Sequence, residues 1–359
     1  YINCDPNTGT GDDNEKANLL TPRYRASYSA YKDMSILILP PYTGNENIVV
    51  EYNGYRVSPE KYSYESGKLV FMGVALEAGH NNVVITASDT RADGDREKIT
   101  NCTAAISYGG SSSGFSEGTR LFLAGNLEYA NTYFRSELKN PEYFPVDAYD
   151  ILGDTLDPIT GFGRQGGGLV IFKKNSIYFS NYVYSSGEVV FTITNISADK
   201  GCDYKNTIQS VDNRLIWFNS KYGVMALSST SRTNEKNVCV ISGNINGSFS
   251  EKALLGKPDY EGISGFIYKN KYHLCTKDYC YVFDYENSSS DFSNPQYLKW
   301  YLYSNVFCNF FVKCGNMLYL AGEKERFTYF ADCLYDFSCE LPICSYYVTK
   351  AYDMGNPSV

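Results

Sequence analysis

The residues best suited to acid–base chemistry are the two histidines, His80 and His273, which lie far apart in the chain. A Ser-His-Asp or Cys-His site would need one of them. No Gly-x-Ser-x-Gly elbow accompanies either histidine, and His80, between Gly79 and Asn81, is interpreted most simply as a turn residue. The sequence marks no catalytic residue, so we expect a protein that is not an enzyme.

One short segment has the residue types of a zinc site. It contains His273, Cys275 and Cys280 but lacks the Cys-x-x-Cys pair of structural zinc sites. A hairpin through residues 276–278 accounts for the segment without a metal. We therefore expect no metal and no cofactor.

Two further motifs are interpreted as turns because of the residues that surround them. Residues 161–168 are glycine-rich, but a phosphate-binding loop would lead into a helix, whereas an apolar strand follows here. Residues 210–217 resemble the Asp-box of sialidase-type propellers, with Arg214 in place of the required glycine. That box stabilises a turn, and no pair of carboxylates is marked for glycoside hydrolysis.

Composition favours a mostly β protein. The chain has 359 residues, 34 of them Tyr and 30 Gly, and Tyr fits the half-buried surface of a sheet. The net charge of −8 opposes binding to DNA phosphates, yet it suits a channel through which DNA passes without sticking. No apolar run is long enough for a transmembrane helix, and we expect the 11 cysteines to be reduced and to act as small apolar residues.

The N-terminal part predicts an inserted domain. Short strands at residues 35–39, 48–52, 55–57, 62–64, 68–71 and 82–87, with a hairpin turn at Asn53-Gly54, are typical of a small immunoglobulin-like sandwich. Residues 1–4 resemble residues 99–102, as though two similar strands of a larger domain flanked it. We assign residues 1–18 to the first strand or strands of a propeller, 19–99 to the insertion and 100–359 to the propeller body, and we expect the chain to be a fragment of a longer one.

Repetition supports this assignment. The pattern of residues 169–178, an apolar strand, a short polar turn and a second strand, recurs from about Ile208, Ile263 and Cys308. A spacing of about 45 to 55 residues is typical of propeller blades with four short strands. We predict an all-β fold, a degenerate β-propeller with an inserted Ig-like β-sandwich; a continuous β-sandwich or a β-helix is the alternative.

Several segments resemble tail-associated structural proteins of bacteriophages and prophages of gut and Gram-positive bacteria. They are residues 121–126, 135–138, 140–145, 158–162 and 169–178, and more thinly 19–25 and 349–357. The resemblance implies a nozzle-like tail protein of propeller type, which forms a ring that DNA crosses. The family pattern carries no catalytic residues.

The resulting hypothesis is a noncatalytic component of the virion, made in the cytoplasm of the bacterial host. Its expected partners are itself, in a cyclic homo-oligomer, and other tail or portal-region proteins, with nonspecific DNA passage but no sequence-specific nucleic-acid binding and no membrane. Two alternatives stay open, a carbohydrate-binding or glycosidase-type propeller of a gut bacterium and a fragment of a clostridial-type surface adhesin. The candidate inter-subunit contact comprises Gly125, Asn126, Tyr143, Phe144 and Pro145.

Overall fold

The fold is all-β and consists of several small antiparallel sheets. The structure, a computed structural model, describes residues 19–20, 23–30, 36–38, 46–65, 68–74, 76–89, 93–109, 119–185, 188–228, 238–247, 251–257, 259–292, 294, 297–304, 308–315, 317–321, 328–329, 335–336 and 341–342. Two compact units divide the chain, Tyr1–Gly256 with Ser288–Leu298 and Lys257–Asn287 with Lys299–Val359. The predicted boundaries at residues 18 and 99 stay predictions.

Two sheets with a shared core form the N-terminal part of the first unit. Their strands are β1 (Arg23–Ala30), β2 (Ile36–Ile38), β3 (Glu46–Tyr52), β4 (Tyr55–Arg56), β5 (Tyr62–Glu65), β6 (Lys68–Phe71) and β7 (Gly79–Asp89), with a 3-10 turn at Pro59–Lys61. One sheet has the order β1-β7-β3-β4 and the other β2-β6-β5. Val50, Leu69 and Ile85 are fully buried between them, because alternate side chains of each strand point to the same face.

Helix α1 (Asp93–Thr100) follows β7, and a series of sheets comes after it. Sheet A consists of β8 (Ala104–Gly109), β9 (Thr119–Ala124), β10 (Thr132–Arg135) and β11 (Tyr149–Ile151); sheet B of β12 (Ile159–Gln165), β13 (Gly168–Lys173), β14 (Ile177–Ser185) and β15 (Glu188–Ser197); sheet C of β16 (Gln209–Val211), β17 (Arg214–Asn219), β18 (Gly223–Leu227) and β19 (Val238–Val240). A 3-10 turn at Lys205–Thr207 precedes sheet C, and the short helix α2 (Gly243–Asn246) follows it.

The second unit contains sheet D, formed by β20 (Ser264–Tyr268), β21 (Lys271–Cys275), β22 (Tyr279–Asp284) and β23 (Lys299–Ser304); sheet E, formed by β24 (Phe310–Cys314), β25 (Met317–Ala321) and β26 (Thr328–Tyr329); and the pair β27 (Tyr335–Asp336) and β28 (Leu341–Pro342). Sheets C, D and E begin close to the predicted unit starts at Ile208, Ile263 and Cys308. The strand predictions for these units are therefore confirmed where the structure describes them.

Strand β13 shows how successive sheets pack. Leu169 and Ile171 belong to a core shared with sheet A, and Val170 and Phe172 to a core shared with sheet C. All four side chains are fully buried. Because both faces of the strand are covered, its sequence is a continuous apolar run rather than an alternating one.

Two-residue turns join the first two strands of sheets B, C and D. Both turn residues have positive φ in Gly166-Gly167, Asp212-Asn213 and Lys269-Asn270, which is the type I′ geometry that matches strand twist. The predicted turns at Asn53-Gly54 and within the Gly-rich and Asp-box-like motifs are thus confirmed. Lys269-Asn270 is the short polar turn predicted for the unit that begins at Ile263, although it lacks the usual Gly.

Two local predictions were wrong. Residues 99–102 are not a strand, since helix α1 contains Ile99 and ends at Thr100; the matching residues 1–4 lie outside the described part. Nor do residues 79–81 form a turn between strands, because β7 runs through them. A shift in the pairing of β1 with β7 accommodates Asn81 at φ 51°. The Asn81 N–H donates a hydrogen bond to the Ser29 hydroxyl, and this bond replaces a backbone hydrogen bond between the two strands.

Within the described residues, no helix is long and apolar enough to cross a membrane.

Candidate functional site

The candidate contact begins at the turn after β9, where the chain passes close to residue 103. Gly125 has φ 80°, and a Cβ built on it would lie 2.5 Å from the Thr103 hydroxyl oxygen. That hydroxyl donates a hydrogen bond to the Gly125 carbonyl at 3.1 Å. Both the backbone conformation and the lack of space therefore require glycine at this position.

Asn126 connects this turn to the end of helix α1. Its side chain is almost fully buried, and its Nδ2 donates to the carbonyls of Glu97 and Lys98, each at 3.1 Å. Its Oδ1 accepts from the N–H of Glu128 at 3.0 Å. The Glu97 carbonyl also accepts from the N–H of Asn101, and the Lys98 carbonyl from the thiol of Cys102, each at 3.2 Å. The Asn126 side chain thus adds a second donor to each of these helix-end carbonyls and also closes its own turn.

Residues 143–145 are buried in the same region. Phe144 is 1% exposed and packs in a small core with Leu19, Ile99 and Phe134. Its carbonyl accepts a hydrogen bond from the N–H of Leu19 at 2.8 Å. This core covers one face of sheet A, whose other face packs on sheet B.

The structure thus brings the five predicted residues into one region but buries most of them. Asn126, Tyr143, Phe144 and Pro145 are buried, and Gly125 is half-buried. Buried side chains cannot reach another subunit, so their role in this chain is to hold the region together. The inter-subunit contact itself stays a prediction, and it must be made by the exposed neighbours of these residues.

The neighbours include strand β11, the edge strand of sheet A. The N–H of Arg135 donates to the Ala148 carbonyl, and the N–H of Leu152 to the Asn131 carbonyl. Because hydrogen-bonded and non-hydrogen-bonded pairs alternate in an antiparallel ladder, the N–H and C=O groups of Tyr149 and Ile151 point away from β10. No described strand pairs with β11 on that side.

The side chains at this edge are apolar as well as exposed. Ile151 is 62% exposed, and Tyr149 and Val146 are each a little over two-fifths exposed. Leu127 and Leu156, in the turns before β10 and after β11, are more than four-fifths exposed. We call these five residues the β11 surface. Sequence reasoning missed this surface. An apolar residue within a polar turn, such as Leu156 in Asp154-Thr155-Leu156-Asp157, is a signal that its side chain does not face the core.

A buried lysine holds the loop that carries Leu156. Lys173 is 1% exposed, and its Nζ donates to the carbonyls of Leu152 and Asp154. The ammonium lies 5.8 Å from the ring centre of Tyr178, within cation–π distance. Burial lowers the pKa of Lys173, partly offset by the charges of Asp157 and Asp154.

An ion pair holds β11 on β10 from the opposite face. Arg135 Nη1 contacts Asp150 Oδ2, and the guanidinium lies 5.1 Å from the ring centre of Phe191 in sheet B. Burial, together with the charge of Asp150, raises the pKa of Tyr133, which is directly opposite Asp150. These polar groups position the edge strand.

The other chemical candidates take structural positions. His80 is exposed in β7, and His273 is buried in β21 with its Nδ1 3.2 Å from the Lys271 carbonyl. Cys275 and Cys280 lie opposite each other on the predicted hairpin. Over the described ranges, no group of three or more His, Cys, Asp or Glu side chains could hold a metal ion.

No protein-family model and no curated protein matches this chain. Among solved structures, it is similar to PorZ, an essential bacterial surface component of the type-IX secretion system of Porphyromonas gingivalis, with 13% identity and a TM-score of 0.32. The match covers 64% of this chain and 28% of that one, so this chain spans less than a third of the PorZ chain. A likeness at this level assigns neither fold nor function here.

Proposed function

We propose that this chain is a noncatalytic structural component of a bacteriophage particle, in which copies join side by side in a closed ring. The phage assignment rests on the resemblance of segments within residues 121–178 to tail-associated proteins. The observation that carries the ring is the β11 surface, an open strand edge with exposed apolar side chains. Such an edge pairs readily with another chain unless it is protected, and apolar side chains exposed together are typical of interaction sites.

The proposed architecture is a degenerate β-propeller with an inserted Ig-like sandwich. The four-stranded meanders of sheets A to D and the cores on both faces of β13 support the interpretation of these sheets, and of sheet E with its three described strands, as blades. The two N-terminal sheets with one core support the interpretation as a sandwich. In this view the insertion leaves the β11 surface available to a neighbouring copy.

A ring formed through this surface is heterologous, because β11 of one copy meets a different surface of the next. Such contacts give a closed ring when the rotation from one copy to the next is a whole-number fraction of a full turn. The net charge of −8 then suits a channel in which DNA phosphates are repelled from the wall rather than bound.

The test compares particle mass for the wild-type chain and for Ile151→Asp, by light scattering and negative-stain electron microscopy. We expect rings for the wild type and monomers for the variant, because a carboxylate cannot be buried against an apolar neighbour without a large desolvation cost. Phe310→Asp is the matched control: Phe310 is 61% exposed and also lies on an edge strand, β24. A wild-type chain that stays monomeric at high concentration contradicts the ring, and equal dissociation of both variants contradicts its assignment to β11.

The phage part of the proposal has a separate test. Mass spectrometry of purified particles induced from the source bacterium should detect peptides of this chain in stoichiometric amounts with other tail proteins. Recovery of the chain only from the bacterial surface, with binding on a glycan array, would instead favour the carbohydrate-binding alternative.

A further inference from the structure

Three cysteines of the second unit lie together in one core. Cys275 and Cys280 are fully buried and Cys308 is 2% exposed, and all three belong to the cluster that also contains Val282 and Leu318. Each carries a thiol in this structure. Small apolar residues would fill such positions equally well, so the grouping of three thiols is a chemical feature that packing does not require.

Cys275 and Cys280 have the backbone geometry of a cross-strand disulfide. They are directly opposite each other on β21 and β22. The next pair toward the turn is hydrogen-bonded, since the N–H of Thr276 donates to the Tyr279 carbonyl at 2.9 Å. The Cys275–Cys280 pair is therefore of the non-hydrogen-bonded kind, with Cα atoms about 4.5 Å apart, which lies within the range that disulfides span.

Cys308 approaches Cys275 from another direction. Ser264 is the residue opposite Cys275 on β20, and its hydroxyl donates to the carbonyl of Cys308 at 3.4 Å. The contact between the two thiols is the main reason that the pKa of Cys308 is raised. Cys275 is thus the central thiol of the three.

We propose that Cys275 and Cys280 are a disulfide-forming site, and that Cys308 is the alternative partner of Cys275. The oxidant is a low-molecular-weight disulfide such as oxidised glutathione. A Cys275 or Cys280 thiolate attacks it and releases one glutathione thiol, and the second cysteine then displaces the other. Two protein thiols lose two electrons and two protons, and one glutathione disulfide becomes two thiols.

The bond forms as the hairpin folds rather than afterwards. Cys275 and Cys280 are fully buried in the folded protein, so glutathione cannot reach either sulfur. Burial also raises the pKa of Cys275 well above its usual value, which disfavours the Cys275 thiolate. During folding the two cysteines are solvated and are separated by four residues, Thr276, Lys277, Asp278 and Tyr279. The hairpin then brings them together before the core closes.

The test is disulfide mapping of the full chain, denatured in reductant and refolded in a mixture of oxidised and reduced glutathione. After alkylation and proteolysis, we expect the Cys275–Cys280 linked peptide to be the dominant product that contains Cys275. In Cys280→Ala we expect the Cys275–Cys308 peptide in its place, and Cys275→Ala should lose both. Cys202→Ala, which removes a buried thiol of the first unit, should leave the Cys275–Cys280 peptide unchanged.

Two results would overturn the proposal. One is recovery of Cys275 as an alkylated thiol after oxidative refolding of wild-type chain that is folded by circular dichroism. The other is pairing of Cys275 with all remaining cysteines in equal amounts. Oxidised glutathione added to protein already folded in reductant should give much less linked peptide, and an equal yield by both routes would contradict formation during folding.

Discussion

The carboxylate of Asp203, in the loop before sheet C, accepts hydrogen bonds from the backbone N–H and the hydroxyl of Ser220. Ser220 lies in the turn between β17 and β18. Sheet B has the same arrangement, in which Asp157 accepts from the hydroxyl of Ser176 at 2.6 Å. In each of these sheets, an aspartate before the first strand binds the turn between the second and third strands.

This relationship predicts a stability effect for Asp203→Ala. The variant leaves the N–H of Ser220 without its charged acceptor, which typically costs about 1.5 to 3 kcal/mol. We expect a loss of that size in the free energy of unfolding, measured by urea titration. Asp212→Asn is the control, because Asn tolerates the positive φ of this turn position and should change stability little; a similar loss in both variants would contradict the role of Asp203.

Asn126→Ala should also destabilise the chain. It removes one of the two donors to each of two helix-end carbonyls and the side-chain acceptor of one N–H, so we expect a loss of about 1 to 3 kcal/mol. Hydrogen exchange should show faster opening of α1, which ends at Thr100. Leu127→Ala, at the neighbouring exposed position, should leave both readouts unchanged, and protection of α1 that survives in Asn126→Ala would refute this assignment.

Lys173→Met tests the anchoring of the Leu156 loop. Methionine fills a similar volume but removes the lysine donor from the carbonyls of Leu152 and Asp154; the Asp154 carbonyl keeps the N–H of Asp157 at 3.3 Å. We expect a loss of about 1 to 3 kcal/mol and faster proteolysis within residues 152–157. Lys174→Met, at the exposed adjacent position, is the control; loop cleavage at wild-type rate in Lys173→Met would show that the lysine does not hold the loop.

Alkaline pH should weaken the fold through buried thiols and phenols. Burial raises the pKa of the Cys102 thiol from 9.0 to about 11, so the unfolded chain loses this proton first. The stabilisation is complete below pH 9.0 and is lost as the pH rises toward 11. The Tyr108 phenol also contributes stability that is lost at high pH, over a higher range, since burial raises its pKa from 10.0 to about 12.

The measurement compares the free energies of unfolding of the wild type and of Cys102→Ala at pH 9 and pH 11. We expect the variant to lose less stability over this interval than the wild type. Cys314→Ala, which replaces an exposed thiol, should follow the wild type. A decrease of the same size in all three chains would exclude Cys102 as a cause.

The insertion hypothesis predicts that the two N-terminal sheets fold alone. Their shared core lies within residues 30–85, whereas Leu19 and Ile99 pack with Phe134 and Phe144 of the sheet A region. A fragment of residues 21–90 should therefore unfold cooperatively, and a chain with that segment replaced by a short Gly-Ser linker should keep its remaining fold. Loss of structure in both pieces would refute the insertion.

The sequence alone determined many of the strands and hairpins that the structure describes. Apolar runs such as residues 169–172 and turn pairs such as Asn53-Gly54 act through neighbours a few residues away, so local chemistry is sufficient to specify them. The tertiary structure decided the rest. That Ile99 ends a helix, that Asn126 and Phe144 are buried, and that Ile151 is exposed depend on partners distant in sequence, because burial is a property of what packs against a residue and not of the residue itself.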